Sequence, residues 1–329
     1  MSAGLKVIIP AAGGGTRLAP HTHTTPKVLL HVAGKPILGH IIDLVSTVNP
    51  EEVIVVVGAQ GERIEQYLRA TYRLNLSFVT QSEPLGLGHA IAQAKDLAAG
   101  HPTLILLGDT ILDLDLQQLK PNENAIVLCA VENPRRFGVA ELRGGFVSHV
   151  VEKPVRPKGN LAIVGVYYFA DSTPLFAALD DLIRQDKKTR GEYQLTDALL
   201  IMLKKGTRLR PITMNAEHWL DCGTADALLD TNAYLLARRH HVRERAGVVV
   251  IPPVNIDDSA VIEHSIVGPN VSIGARAVIR NSVVRDSIIN QEVLVENAVL
   301  EHSILGEAAV FQGRALHLNL GSSSELKGG

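Results

Sequence analysis

Residues 8–29 read Ile8-Ile9-Pro10-Ala11-Ala12-Gly13-Gly14-Gly15-Thr16-Arg17-Leu18 and run on to Thr25-Pro26-Lys27-Val28-Leu29. An apolar strand ends in three glycines, an arginine follows at once, and a lysine comes ten residues after it. Glycine lets the backbone turn tightly and brings N–H groups close to a ligand, and N–H groups converging in such a turn form an anion nest. With Arg17 and Lys27 beside it, the loop reads as a cradle for a polyphosphate at the carboxyl end of the first strand. Two other readings fail. A dinucleotide fingerprint needs a small residue where Leu18 stands and an acidic residue at the end of the second strand, but the run Val53–Val57 ends in Gly58-Ala59-Gln60. The P-loop spacing, with Gly-Lys-Ser/Thr after a four-residue spacer, does not occur. On the glycines alone a plain strand-to-helix turn is an equal alternative. Arg17 and Pro26-Lys27 tip the reading toward phosphate.

Working outward, the first part alternates strand and helix. Strands are expected at 5–10, 53–57, 76–80 and 103–107. Helices are expected after Pro36, which is suited to a first helical turn, over 61–70, and around Ala90 to Leu97. The β-branched run Val53–Val57 suits a parallel strand buried on both faces. This order predicts an α/β fold with a doubly wound, mostly parallel sheet and ligands outside the carboxyl ends of its strands. After residue 120, strands are expected at 125–131, 138–142, 146–151 and 161–169, with Gly144-Gly145 as a hairpin turn. Helices follow at 174–183, 194–204 and 225–239. A third pattern begins near Gly247: Ile256, Ile262, Val267, Ile273 and Ile279 recur mostly every six residues. Hexapeptide periodicity signals a left-handed parallel β-helix. Because the period slips between Ile262 and Val267, a β-sandwich stays open as the alternative. The expected division is a catalytic domain over 1–245, a β-helix over 246–320 and a disordered tail over 321–329.

Composition narrows the partners. The chain carries 32 basic and 34 acidic residues, a formal charge of −2, without the basic excess of a general nucleic-acid binder. Cys129 and Cys222 are the two cysteines, too few for a disulfide framework and suited to a reducing cytosol. Glycines and Arg17 interrupt the first apolar run, so no signal peptide is read there, and no run approaches membrane-spanning length. The expectation is a cytoplasmic protein with neither nucleic acid nor membrane as partner.

Seven phrases occur in one order: Gly13-x-Gly15-Thr16-Arg17…Pro26-Lys27, Gln81-Ser82-Glu83-Pro84-Leu85-Gly86-Leu87-Gly88-His89-Ala90, Leu107-Gly108-Asp109, Arg136-Phe137-Gly138-Val139, Glu152-Lys153-Pro154, Arg190-Gly191-Glu192-Tyr193-Gln194-Leu195-Thr196-Asp197 and Trp219-Leu220-Asp221-Cys222-Gly223-Thr224. Together they resemble the sugar-1-phosphate nucleotidyltransferases over about residues 4–240. The resemblance is greatest to the long form of glucose-1-phosphate thymidylyltransferase.

The resemblance implies a reaction in which a sugar 1-phosphate attacks the α-phosphorus of a nucleoside triphosphate in line, so that the protein mainly positions groups and neutralises charge. It implies Mg²⁺ on Asp109 and Asp221, since Mg²⁺ is held by one or two carboxylates and by substrate phosphates. Either aspartate alone also suits a cap or a turn. Arg17 is expected along the triphosphate, Lys27 near the α-phosphate, and Lys153 on the sugar phosphate with Arg190 assisting. Pro26 and Pro154 favour fixed positions for the two lysines. Ala12, Gly13, Gly14, Gly15 and Thr16, with Gln81 and Gly86, resemble nucleotide-binding positions. Gln81 can pair with a carbonyl and an N–H of thymine or uracil. Gly138 and Glu152 resemble sugar-binding positions.

The substrates implied are dTTP with glucose 1-phosphate, then UTP, then GTP with mannose 1-phosphate. Thr110 stands where thymidylyltransferases commonly have Asn, and Cys222 where relatives often have Thr. The β-helix is expected to hold copies together as a homo-oligomer. A non-catalytic ligand-sensing subunit and an acyltransferase tail using His264 or His302 are the alternatives. His21 and His23 read as loop residues near phosphate rather than metal ligands, for want of an acidic or cysteine partner nearby. His240-His241 end a basic helix and complement its dipole.

Overall fold

A computed structural model describes residues 4–238 and 245–313. The strands of the first part are β1 Lys6–Pro10, β2 His31–Val32, β3 Lys35–Pro36, β4 Glu52–Val57, β5 Leu76–Thr80, β6 Thr103–Leu106, β7 Thr110–Leu112, β8 Ala125–Ala130, β9 Gly138–Arg143, β10 Phe146–Glu152, β11 Leu161–Phe169, β12 Arg210–Met214 and β13 Trp219–Asp221. The helices are α1 Ile37–Ser46, α2 Gly61–Thr71, α3 Leu87–Ala92, α4 Lys95–Ala98, α5 Thr173–Arg184, α6 Leu195–Lys204 and α7 Ala225–Arg238. Chain contacts divide the molecule into two compact units, Met1–Thr231 and Asn232–Gly329. Residues 239–244 and 314–329, which hold His240-His241 and the expected tail, lie outside the described residues. Among the described residues no helix is long and apolar enough to cross a membrane.

The first unit is built on a nine-stranded sheet. At its centre β1 pairs in parallel with β4 and β6, and β4 with β5. Every residue of β4 is buried, as a β-branched strand covered on both faces requires. The other half is mixed. β11 runs antiparallel to β6 and β8, while β8 takes β12 in parallel. β9 and β10 form the expected hairpin across Gly144-Gly145. Neither β12 nor the two-stranded sheet of β7 and β13 was legible in the sequence: β12 contains Pro211, which argues against a strand, β7 and β13 are three residues long, and their partners lie far along the chain. The expected helix over Ala90 to Leu97 is two short pieces, α3 and α4.

Three backbone bonds gather the loops at the carboxyl edge. Ala11 N–H donates to Val56 O at 2.7 Å, Gln81 N–H to Val57 O at 2.8 Å, and Gly108 N–H to Pro10 O at 3.1 Å. They bring the glycine loop, the segment before α3 and the turn at Asp109 together.

The second unit contains three stacked four-stranded parallel sheets, the arrangement of the expected left-handed β-helix. The slip in period has a geometric origin. Val249 pairs with Ile266 and Ile266 with Val283, 17 residues on each time, whereas Val283 pairs with Val299, 16 residues on. The coils are therefore shorter than three full hexapeptides. Corners are made by residues with positive φ in three columns: His264, Asn281 and Asn297; Asn270, Asp286 and His302; Arg276, Glu292 and Ala308. Asn, Asp and His tolerate that conformation better than other side chains. His264 and His302 thus take corner positions in different columns.

Val254, Val271, Ile279, Val284 and Val295 fill the axis of the coils, none with measurable exposure. Ile279→Ala removes buried methylene groups from this stack and is expected to cost about 2–5 kcal/mol. Urea unfolding of the full chain followed by circular dichroism measures it. A loss under about 1 kcal/mol would mean that the interior collapses freely around the gap.

Candidate active site

The glycine loop leaves β1 and passes into single helical turns at Thr16–Leu18, His21–His23 and Lys27–Leu29. Gly13 and Gly14 are exposed, and no atom lies within 4 Å of where a Cβ would stand on either. Gly15 has φ of 62°, a left-handed conformation that favours glycine, and its carbonyl accepts a bond from Thr22 Oγ1 at 3.0 Å. The loop therefore presents bare backbone to one side while its far end is tied down.

A cavity of 370 Å³ opens beside it, lined by Ala12, Gly13, Gly14, Lys27, Gln81, Gly86 and Asp109 among others. Five residues expected to bind the nucleotide, with Lys27 and Asp109, thus meet in one cavity of small-molecule size. Gly15, Thr16 and Arg17 stand outside that lining. An adjoining cavity of 290 Å³ shares Ala12, Lys27 and Gln81 and continues toward Gly58 and Gln60.

Lys27 is 7% exposed, and its Nζ donates to Asp109 Oδ2 at 2.6 Å. A buried ammonium needs such a partner, and the pair sets a cation and a carboxylate side by side in the cavity wall. Asp221 reaches the same neighbourhood through strand pairing: it faces Thr110 across the β7–β13 ladder, and Cys222 N–H donates to Asp109 O at 3.3 Å. A Cβ on Gly223 would lie 3.0 Å from Asp221 Oδ1 and 3.0 Å from Arg17 Nη2. Only glycine leaves this space to the carboxylate and the guanidinium.

Cys222 has no exposed surface, and burial pushes its thiol up to about 12, with Asp109 and Asp221 raising it further and Lys27 opposing. Among the described residues no three His, Cys, Asp or Glu side chains cluster to hold a metal. Two carboxylates are present at this edge. Hard oxygen donors in that number fit Mg²⁺, which takes its remaining ligands from phosphate and water.

A second group forms at the β9–β10 hairpin. Glu152 faces Gly138 in register, and a Cβ on Gly138 would lie 3.2 Å from Glu152 Oε2 and 3.2 Å from Thr196 Oγ1. Thr196 Oγ1 donates to Glu152 Oε2 at 2.7 Å. Thr196 was not singled out from sequence, though it lies inside the Arg190–Asp197 phrase. Lys153 adopts φ of 39°, and its Nζ sits 3.5 Å from Glu152 Oε1. Arg190 Nη2 donates to the Lys153 carbonyl at 2.9 Å, so it meets the lysine at its backbone. Burial separates the two lysines: Lys27 is fixed, whereas the Lys153 side chain is 45% exposed.

Gln81 corrects one expectation. Its Nε2 lies 3.1 Å from Gly86 O and 3.0 Å from Nδ1 of His89, so in this arrangement both N–H groups have partners and the amide does not offer a base both a donor and an acceptor. Gly86, with φ of 108°, has no room for a side chain, since a Cβ would lie 2.9 Å from Tyr193 O.

Comparison with known proteins places the chain in a family. Residues 6–238 match the nucleotidyl transferase family model, and the chain belongs to that family. It is 33% identical over 242 residues to the low-salt glycan biosynthesis nucleotidyltransferase Agl11 of Haloferax volcanii, covering 70% of this chain and 66% of that one, so it spans just under two thirds of that relative's length. It is 31% identical over 294 residues to a glucose-1-phosphate thymidylyltransferase of Streptomyces griseus, covering 84% and 80% of the two chains. A crystal structure of UDP-glucose pyrophosphorylase complexed with UDP-glucose superposes with a TM-score of 0.62 at 25% identity, covering 73% of this chain and all of that one.

Burial determines how the thiols respond to reagents. Cys129 and Cys222 are both fully buried, and burial raises both thiols. The thiolate is the reactive form, so neither should react with an aromatic disulfide reagent at pH 8 in the folded protein, and both should react on unfolding. Rapid labelling of Cys222 in the native state would show that the Asp109–Asp221 edge opens.

Proposed function

We propose that the first unit transfers a nucleotidyl group from a nucleoside triphosphate to a sugar 1-phosphate, giving a nucleoside diphosphate sugar and pyrophosphate. The observation that carries this reading is the meeting of the bare glycine loop, the Lys27–Asp109 pair, Gln81 and Gly86 in one cavity. The names of the Streptomyces relative and of the UDP-glucose complex support dTTP with glucose 1-phosphate as first choice and UTP as second.

In this reading the triphosphate lies along residues 12–16 with Arg17 on its outer phosphates. Lys27 stands at the α-phosphate, where negative charge grows as the sugar phosphate oxygen attacks and pyrophosphate leaves. Lys153 meets the phosphate of the sugar, held in place by the bond of Arg190 to its carbonyl. Gly138 and the Glu152–Thr196 pair face the sugar hydroxyls. Asp109 and Asp221 would hold Mg²⁺, which when bound neutralises phosphate charge. The reaction is tested by Mg²⁺-dependent pyrophosphate release over five nucleoside triphosphates against glucose, galactose, mannose and N-acetylglucosamine 1-phosphates. Release that needs both substrates is expected. Asp109→Asn should lower kcat by about 100-fold or more with an unchanged circular dichroism spectrum. Near-normal turnover removes Asp109 from the metal site, and silence over the whole grid favours a sensing subunit.

The second unit serves assembly with further copies of this chain. Val249, Ile266, Val283 and Val299 lie in register on one outer face, with Val249 57% and Val299 72% exposed. An aliphatic row of this kind marks an interaction surface. On one side of the row the corner column of His264, Asn281 and Asn297 offers no carboxylate or guanidinium, and on the other Arg285 pairs with Glu301 at 3.0 Å and Asp286 accepts from Asn270 at 2.7 Å, so these neighbouring charges are already engaged, which favours a matching row from a second copy. Combining Ile266→Glu with Val299→Glu should lower the mass seen by light scattering, and an unchanged mass removes this face from the interface.

A further inference from the structure

Gln81 is 7% exposed and lines the cavity beside the glycine loop. A glutamine amide has two N–H hydrogens on nitrogen and lone pairs on oxygen. Here Nε2 lies 3.1 Å from the Gly86 carbonyl and 3.0 Å from Nδ1 of His89. Both hydrogens are used, and Oε1 takes no hydrogen bond among the described residues. Oε1 is also absent from the buried polar atoms that lack a partner, so it is open to the cavity.

The arrangement resists reversal. The Gly86 carbonyl is held in place by Ala90 N–H at 3.0 Å, and turning the Gln81 amide would set Oε1 against it. A neutral imidazole accepts on one nitrogen and carries its proton on the other. With Nδ1 accepting from Gln81, the proton of His89 sits on Nε2. Gln93 Nε2 stands 3.2 Å from His89 Nε2 and donates to the His89 carbonyl at 3.1 Å, so its terminal amide must leave that carbonyl to present oxygen to the Nε2 proton.

We propose that His89 is a positioning residue for base selection: it holds the Gln81 amide so that only a hydrogen-bond acceptor faces the nucleobase. The inference rests on the nucleotidyl-transfer reading above and adds a selection rule to it. Thymine, uracil and guanine carry an imide N–H that satisfies Oε1. Cytosine and adenine bring a bare ring nitrogen, lone pair against lone pair. A site built around a buried polar group rejects a ligand that leaves the group unpaired more strongly than a purely apolar pocket would.

Steady-state turnover of the full chain with dTTP, UTP, GTP, CTP and ATP tests this, with the sugar 1-phosphate fixed. The wild type should favour at least one imide base over CTP and ATP by about 100-fold or more. His89→Ala should raise KM for the favoured nucleotide about tenfold and narrow that preference about tenfold, with kcat and the KM for sugar 1-phosphate little changed. His89→Asn, whose side-chain oxygen can accept from Gln81 in place of Nδ1, should restore both to within about threefold. The proposal is overturned if His89→Ala leaves nucleotide KM and preference intact, if the Asn variant is as impaired as Ala with sugar-phosphate KM raised too, or if the wild type prefers CTP or ATP. Silence of the wild type with every pair sinks the nucleotidyl-transfer reading instead. Equilibrium binding of the five nucleotides then decides the role of His89, which is lost if wild type and His89→Ala bind them alike.

Discussion

Everything at the candidate site hangs on the hydrogen bonds that tie loop to strand at the carboxyl edge of the central parallel strands. Ala11 N–H reaches Val56 O, Gln81 N–H reaches Val57 O, and Gly108 N–H reaches Pro10 O. Buried backbone groups must be paired, so each bond fixes where its strand can end. Three loops widely separated in sequence are thereby held side by side. The buried run of β4 supplies the rigidity, because its side chains are covered on both faces.

On that edge the electrostatics are local. A formal charge of −2 spread over the chain gives no long-range field toward phosphate, so affinity for an anion must come from a few groups placed at short range. The Lys27–Asp109 pair is one such placement. The convergence of Arg17 and Asp221 at Gly223 is another, and it depends on β13 pairing with β7. Cys222 lies buried beneath the carboxylates and serves as packing. Family membership accords with this edge, and the Gln81–His89 arrangement adds a polarity to the cavity that family membership by itself does not supply.

The second unit solves a different problem. Its strands are two or three residues long, too short to be stable alone, and each coil is held by the next in the manner of a repeat protein. Serines carry part of the load inside: Ser265 Oγ accepts from Ser282 N–H, and Ser282 Oγ from Ala298 N–H. Outside, Arg280 reaches Glu263 on one side and Glu296 on the other. Such exposed pairs add little stability, but they keep adjacent coils in register.

The sequence by itself determined the parallel half of the sheet, the glycine loop, the Gly144-Gly145 hairpin and the coiled second unit. Each is written in a short-range pattern: a β-branched run, a cluster of glycines, or an aliphatic residue about every six positions. It also named most residues of the candidate site, because ordered phrases along the chain resemble a family. Only the tertiary structure decided which of those residues meet. Lys27 finds Asp109 across 82 residues, Asp221 is brought in by a three-residue strand, and Arg190 donates to the backbone carbonyl of Lys153. The polarity of Gln81 was equally hidden, since an amide shows the same letter whichever end faces the cavity. Spacing along a chain reports what neighbours share a face, whereas strand pairing and side-chain hydrogen bonds join positions whose separation leaves no local trace.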